Sequence, residues 1–174
     1  NPGLLGSFPY PFLTLGANSY FIAFDPAQAL WKTDGTNGGT SKITSLSISG
    51  QTSDANPSNL FPFGSSVLFR QTDGSNGNEL WKTDGSVGGT TFLKDINPGS
   101  NGSSPFNFVS SGGRVFFVAK DQLHANELWS TDGTSAGTAL VSDINPGVNS
   151  SSITRGVDLN GTLIFGAKDA TNGS

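Results

Sequence analysis

The residues best suited to chemistry in this sequence are oxygen-bearing side chains gathered in one short stretch. Between positions 73 and 79 the chain reads DGSNGNE, which brings Asp73, Asn76, Asn78 and Glu79 close together. Carboxylate and amide oxygens are the ligands that Ca²⁺ prefers. The stretch lacks the full ligand spacing of an EF-hand loop, so a polar turn is the default interpretation and calcium the alternative. No other cofactor is expected.

Other catalytic chemistry has little support in the residue inventory. His124 is the only histidine and cysteine is absent, which excludes disulfides and leaves no partner for a transition-metal site. Asp54 and Asp158 are the carboxylates outside the repeated positions described below, and nothing marks them as an acid–base pair. The sequence therefore predicts no catalytic residues and a protein that is not an enzyme.

Composition limits the partners as well. Only 13% of the 174 residues are charged and the formal net charge is −4. No basic patch is present for nucleic acid, and no apolar run is long enough to span a bilayer. We therefore expect neither nucleic-acid binding nor membrane insertion.

The elements that position these side chains recur with a period of 48 residues. A shared phenylalanine keeps this spacing throughout, and a Leu-Trp pair and an Asp-Gly pair follow it in three of the four copies. The positions are Phe21, Phe69, Phe117 and Phe165; Trp31, Trp81 and Trp129; and Asp34, Asp84 and Asp132. Such self-similarity is the signature of a repeat architecture.

The recurring residues have structural and functional interpretations. The Asp-Gly carboxylates suit backbone hydrogen bonds within a turn, with contact to a metal or sugar as the alternative. The tryptophans suit a core between neighbouring sheets, because burial removes much apolar area from water; stacking on sugar is the alternative. We favour the structural interpretation for both sets, and for the carboxylates because a catalytic group has no need to recur in every unit.

One unit reads as four short strands separated by turns. In the third unit these are predicted at Phe106–Ser110, Arg114–Lys120, Glu127–Thr131 and Thr138–Ile144, with a tight hairpin at positions 112–113. The second strand is apolar on both faces. A strand of this kind is expected to have other sheets on both sides.

The resulting prediction is an all-β, propeller-like array of tandem four-stranded antiparallel blades with about 48 residues per repeat. The chain is a single array with units at about 1–48, 49–96, 97–144 and a partial 145–174. A β-solenoid is the structural alternative. Both ends fall in mid-unit, so we expect a segment of a longer chain that is not a stable free monomer, because an incomplete blade leaves an open sheet edge.

The motif at positions 127–134, ELWSTDGT, with Gly-Thr at 137–138 and DINPG at 143–147, resembles the ELWxxDGT repeat family. The second unit matches at 79–86, with Ser86 in place of the threonine. The first unit departs more, because Ala29 replaces the glutamate and the DINPG run is lost near Ser45. The family consists of large exported bacterial repeat proteins. The resemblance implies an extracellular or cell-surface repeat protein, and it implies no activity.

We therefore expect a non-catalytic structural or interaction module that mediates protein assembly or adhesion. Its expected partners are other protein chains or copies of itself, and surface glycans. The alternatives are a carbohydrate-binding propeller and part of a glycan-active propeller enzyme whose site lies outside this segment.

Overall fold

The fold is all-β, and this computed structural model describes residues 10–24, 28–44 and 58–171. These ranges contain strands and no helix. The strands are β1 Tyr10–Leu15, β2 Asn18–Phe24, β3 Gln28–Thr33 and β4 Ser41–Lys42; β5 Ser58–Phe63, β6 Ser66–Thr72, β7 Asn78–Thr83 and β8 Thr91–Lys94; β9 Phe106–Ser111, β10 Arg114–Ala119, β11 Glu127–Thr131 and β12 Ala139–Ser142; and β13 Val157–Leu159 and β14 Thr162–Ile164.

These strands form three four-stranded sheets and one two-stranded sheet, here numbered 1 to 4 in chain order. Within each sheet every strand pairs antiparallel with the next strand along the chain. The prediction of repeated four-stranded antiparallel units is confirmed, and the parallel coils of a β-solenoid do not describe them. None of the sheets in the described ranges is closed, so a propeller ring is not established.

The predicted strands of the third unit lie close to the observed ones. Three of them differ by at most one residue at an end, and the last is shorter, at Ala139–Ser142. Gly112 and Gly113 join β9 to β10 with φ of 56° and 78°. Two positive φ angles define the type I′ turn, whose twist matches the flanking strands. The predicted tight hairpin is therefore confirmed.

In the first unit the tryptophan follows the shared phenylalanine by 10 residues, against 12 in the second and third units, and the strand register explains this difference. Phe21 pairs with Trp31, Phe69 with Trp81, and Phe117 with Trp129, so all three pairs are cross-strand neighbours. The connection between β2 and β3 spans residues 25–27, whereas that between β6 and β7 spans residues 73–77. The loop absorbs the length difference and the sheet keeps its register.

The apolar core lies between successive sheets. We call the face of a sheet on the side of the later units its outgoing face and the opposite face its incoming face. The outgoing face of sheet 1 packs on the incoming face of sheet 2, and that of sheet 2 packs on the incoming face of sheet 3. The core between sheets 1 and 2 contains Tyr20, Ile22, Leu30, Ile43, Val67 and Phe69; that between sheets 2 and 3 contains Leu68, Leu80, Leu93, Ile96, Phe108, Val115, Phe117, Ala119 and Trp129. Full burial of one such side chain stabilises the fold by about 1.5–3 kcal/mol. The strand predicted to have sheets on both sides is β10: Val115, Phe117 and Ala119 on one face lie in the core with sheet 2, and Val118 on the other face is buried as well. β6 contributes to both cores.

The first strands of sheets 2 and 3 carry a bulge that ties each sheet to the next unit. Asn59 and Asn107, which lie 48 residues apart, have φ of 57° and 54°, and the strand register shifts at both. The Nδ2 of Asn59 donates to the carbonyl of Pro105 at 3.2 Å, and that of Asn107 donates to Ile153 at 3.4 Å. Asparagine tolerates this left-handed conformation better than most residues. The bulge thus places an amide for an inter-unit bond.

Candidate functional site

The repeated Asp-Gly loops are internally hydrogen-bonded structures. In the third unit Asp132 Oδ1 accepts the Thr134 N–H at 2.9 Å and the Thr134 hydroxyl at 2.7 Å, and that hydroxyl accepts the Gly137 N–H at 2.9 Å. The loops after Asp34 and Asp84 repeat this arrangement. These hydrogen bonds, the hydroxyl bond first, lower the pKa of Asp132. The carboxylate is therefore engaged within its own loop.

A threonine pair closes the base of each loop. The hydroxyls of Thr131 and Thr138 lie 2.7 Å apart, and Thr131 Oγ1 accepts the Gly133 N–H at 3.0 Å. The next loop glycine, Gly137, has no room for a side chain, because a Cβ there would overlap the carboxyl group of Asp132. The types of these residues follow from the loop geometry and require no ligand.

The loop of sheet 3 also contacts the preceding sheet. Lys82 Nζ of sheet 2 donates to the Gly133 carbonyl at 2.8 Å, and Lys94 Nζ donates to the Thr138 carbonyl at 2.7 Å. A Cβ at Gly133 would lie 2.7 Å from Cε1 of Phe63, which is also in sheet 2. This loop is therefore part of the interface between two sheets.

Trp129 lies in an apolar core and Trp81 packs against one, whereas Trp31 lies beside Phe21 on the incoming face of sheet 1. Trp129 is buried, and Trp31 and Trp81 are half-buried. Trp31 stacks on Phe21 with ring centroids 6.4 Å apart, and Trp81 lies 6.5 Å from Phe69. Each indole Nε1 is shielded and has no hydrogen-bond partner among the described residues. A sugar platform would need an open ring face and polar neighbours, so the positions of Trp81 and Trp129 suit packing better.

In the predicted calcium stretch, Asp73 caps its own turn. Its Oδ1 accepts the N–H groups of Ser75 and Asn76 at 2.8 and 2.9 Å, and its Oδ2 accepts Asn76 Nδ2 at 2.6 Å. Partial burial raises the pKa of Asp73, but these hydrogen bonds outweigh it and hold the pKa below its ordinary value. The two residues form a closed polar turn.

Glu79 belongs to a different group of hydrogen bonds. Its fully buried carboxylate accepts the N–H groups of Ile96, Asn97 and Ser103 at 3.1, 3.2 and 2.7 Å, and also the Ser103 hydroxyl. Burial raises the pKa of Glu79 to about 7, against the lowering effect of these donors. The side chain anchors the Asp-Ile-Asn-Pro-Gly run and the turn after it.

The structure therefore divides the four calcium candidates. Asp73 and Asn76 share one turn, Glu79 anchors another segment, and Asn78 accepts the Ser104 N–H on its backbone carbonyl at 2.8 Å. In the described ranges no group of three or more His, Cys, Asp and Glu side chains is arranged to hold a metal ion. Calcium binding remains a prediction, and the donors already engaged at Asp73 and Glu79 would compete with it.

The histidine and the two aspartates outside the repeated positions do not belong to the groups described above. His124 Nδ1 lies 2.9 Å from Asp121 Oδ1, and Nε2 lies 3.8 Å from Asp143 Oδ2, so the ring links two loops of the third unit. The hydrogen bond to Asp121 raises the pKa of His124. Asp158 accepts the Gly161 N–H at 3.3 Å, and Asp54 lies outside the described residues.

Sequence reasoning overlooked the two bulge asparagines, and it missed the anchoring role of the second repeat glutamate, Glu127. Asn59 and Asn107 border an open cleft of about 210 Å³, with Phe61, Phe108 and Arg155 on its other walls. Glu127 repeats the anchoring by accepting the Ile144 N–H at 2.9 Å. The available signal was the recurrence of both residue types after 48 positions.

No family model matches this chain, and no curated protein is found to be similar to it. In the part of the chain that the structure describes, no helix has the length and apolarity to cross a membrane.

Proposed function

We propose that this chain is a non-catalytic structural and interaction module of a repeat protein, mediating protein assembly or adhesion. The observation that carries the proposal is the stacking of successive sheets through apolar faces that recur with the repeat. An array of this type extends a surface without building a reaction centre, because each unit contacts only its neighbours.

The hydrogen bonding of the recurring polar residues supports this proposal. The Asp132 carboxylate is engaged by its own loop, the Glu79 carboxylate by the backbone of a following loop, and the Lys82 ammonium by the next sheet. A catalytic acid or base needs access to a substrate proton. Groups that are occupied in this way suit the maintenance of the fold.

The location is part of the same proposal. The motifs at 79–86 and 127–134 resemble those of the ELWxxDGT repeat family, whose members are exported by bacteria. We therefore place the chain outside the cell or on its surface, as blades of a propeller-like array. Partners in that setting are other protein chains, further copies of this chain, and surface glycans.

Glycan binding is a second candidate, favoured by the open cleft. Two asparagines and the exposed Arg155 line it together with phenylalanine side chains. Amides and a guanidinium are suitable donors for sugar hydroxyls or sugar carboxylates. The buried Phe108 offers little ring face for stacking, so the cleft supports this candidate less strongly than the stacked sheets support assembly.

A bead assay separates the candidates. Beads coated with the whole chain are mixed with each other, with uncoated beads, and with beads that carry bacterial surface glycans. Assembly predicts clustering of coated beads without glycan. Glycan binding predicts capture of glycan beads, competition by free sugar, and loss of capture in Arg155→Ala.

The same samples test the enzyme alternative. Soluble sugar fragments released from the glycan beads would contradict a non-catalytic module. Coated beads that bind neither each other nor glycan beads, nor any protein on intact bacterial cells, would refute the assembly and adhesion proposal.

A further inference from the structure

Within residues 10–24, 28–44 and 58–171, no sheet covers the incoming face of sheet 1. Phe12 on this face is 62% exposed and stacks on Phe21 with ring centroids 5.4 Å apart. Two repeats later the equivalent residue is Phe108, which stacks on Phe117 at 5.5 Å. Phe108 is only 6% exposed, because Phe61 of the preceding sheet stacks on it at 5.8 Å. Phe12 is therefore exposed where its counterpart is covered.

The outgoing face of sheet 4 is likewise not covered by any other sheet in the part of the chain that the structure describes. Val157, Leu159 and Ile164 are 61%, 60% and 49% exposed, and Val157 pairs with Ile164 across the hairpin. Their equivalents 96 residues earlier are Phe61, Phe63 and Leu68, which pack in or against the core between sheets 2 and 3. Three neighbouring apolar side chains on a two-stranded sheet form a patch of the kind that marks an interaction surface.

The repeat also indicates which residues of the two faces would meet. Val157 occupies the position of Phe61, so it would lie on Phe12. Leu159 occupies the position of Phe63, whose ring lies against Gly133. The equivalent of Gly133 in the first unit is Gly35, where an added Cβ would have no heavy atom within 4 Å. Space for an incoming side chain is therefore present beside the loop of sheet 1.

We propose that a second copy of this chain docks the outgoing face of its sheet 4 on the incoming face of sheet 1. The proposal rests on the assembly function and names its partner. The occupant follows from continuity, because the chain already contains two interfaces in which an outgoing face packs on an incoming face. The two faces differ, so the contact is heterologous and repeats head to tail.

Two charge substitutions block the faces one at a time. Phe12→Lys places an ammonium on the incoming face, and Ile164→Lys places one on the outgoing face. Burial of an unpaired charge opposes docking in both variants. Leu123→Lys is the matched control, because Leu123 is an exposed apolar side chain in a loop outside both faces. Circular dichroism spectra and thermal unfolding check that each variant is folded.

Sedimentation velocity of the whole chain, from about 1 µM to about 1 mM, covers the affinities expected of such a contact. The native chain and Leu123→Lys should form species that grow with concentration. Each blocked variant alone should remain monomeric, with its dissociation constant raised about tenfold or more. Because Phe12→Lys keeps its outgoing face and Ile164→Lys keeps its incoming face, their mixture should form a dimer and nothing larger.

Several results would overturn the head-to-tail contact. A native chain that stays monomeric is one, self-association of either blocked variant alone is another, and a mixture that remains monomeric is a third. The bead assay separates this failure from that of the proposed function. If beads carrying a chain with both substitutions still cluster, assembly takes place through another surface. If native beads neither cluster nor bind glycan beads or bacterial cells, both proposals fail.

Discussion

Replacement of Gly133 by alanine tests whether the Asp-Gly loop is an inter-sheet contact. Gly133 and Gly35 occupy equivalent positions and have φ of 84° and 92°. An added Cβ at Gly133 would lie 2.7 Å from Phe63 Cε1, whereas at Gly35 no heavy atom lies within 4 Å. Gly35→Ala is therefore a matched control that shares the backbone conformation and lacks the clash.

The expected magnitudes follow from these two contributions. A left-handed conformation costs a residue with a side chain about 1–2 kcal/mol, and both variants bear this cost. Overpacking against the Phe63 ring adds about 1–3 kcal/mol in Gly133→Ala alone. We therefore expect a loss of about 1–2 kcal/mol of unfolding free energy for Gly35→Ala and about 2–5 kcal/mol for Gly133→Ala.

Urea unfolding followed by tryptophan fluorescence measures both losses. Phe63→Ala, made in the native and the Gly133→Ala backgrounds, completes a double-mutant cycle. Removal of the ring relieves the clash, so Phe63→Ala should cost less in the Gly133→Ala background by about 1–3 kcal/mol. Equal losses for Gly35→Ala and Gly133→Ala, together with no coupling in the cycle, would refute the inter-sheet role of the loop.

Two further predictions concern buried hydrogen bonds. Thr131→Val leaves the Gly133 N–H without its acceptor in a buried loop, so it should lower the free energy of unfolding in urea by about 1–3 kcal/mol. Thr33→Val, at the exposed equivalent position, should lower it by less than about 1 kcal/mol. Similar losses for the two variants would contradict a role for burial. The pKa of Glu79 is about 7 in the folded chain, against an ordinary value of 4.5, so the folded chain binds its proton more tightly than the unfolded chain does. The stability that this proton contributes is therefore complete below pH 4.5 and is lost as the pH rises through 7. The free energy of unfolding should fall by about 3 kcal/mol over this range. Urea midpoints measured across this range should show the slope in the native chain and in Glu127→Gln and lose it in Glu79→Gln, and a slope that persists in Glu79→Gln would assign it to another group.

The sheets could be predicted because their information is local and periodic. Phe117 and Trp129 recur at the repeat spacing, and the alternation around Phe117 indicates a strand that is buried on both faces. The Gly112-Gly113 pair specifies a two-residue turn by itself, because glycine adopts positive φ without strain. Local patterns of this kind need no knowledge of distant contacts.

The role of Glu79 could not be inferred from its neighbours in sequence. Beside Asn76 and Asn78 it looks like a cation ligand, whereas its hydrogen-bond donors lie 17 to 24 residues further along the chain. The sequence did contain one usable signal for this role, which is that the glutamate and its partner run are both missing from the first unit. In the first unit Ala29 replaces the glutamate and the Asp-Ile-Asn-Pro-Gly run is missing as well, as expected when an anchor and its loop are retained or lost together.

The bulges at Asn59 and Asn107 show a second limit of sequence reasoning. A single asparagine in a predicted strand has no local mark of positive φ, and its donor function appears only when the next unit lies beside it. The recurrence at 48 residues was visible, but the inter-unit bond depends on the stacking of sheets that the sequence does not display.

The antiparallel meander of each sheet has a consequence for how such a chain changes length in evolution. In each described sheet every strand pairs with its immediate neighbour in the chain, and the bond from Asn59 to Pro105 joins adjacent units. Duplication or deletion of one whole 48-residue unit would therefore recreate interfaces that already exist and demand no new type of contact. Gene-level slippage by one period can lengthen or shorten the protein by whole units. Small length changes in a loop leave the pairing of Phe and Trp intact, as between β2 and β3, whereas an insertion within a strand would interrupt it.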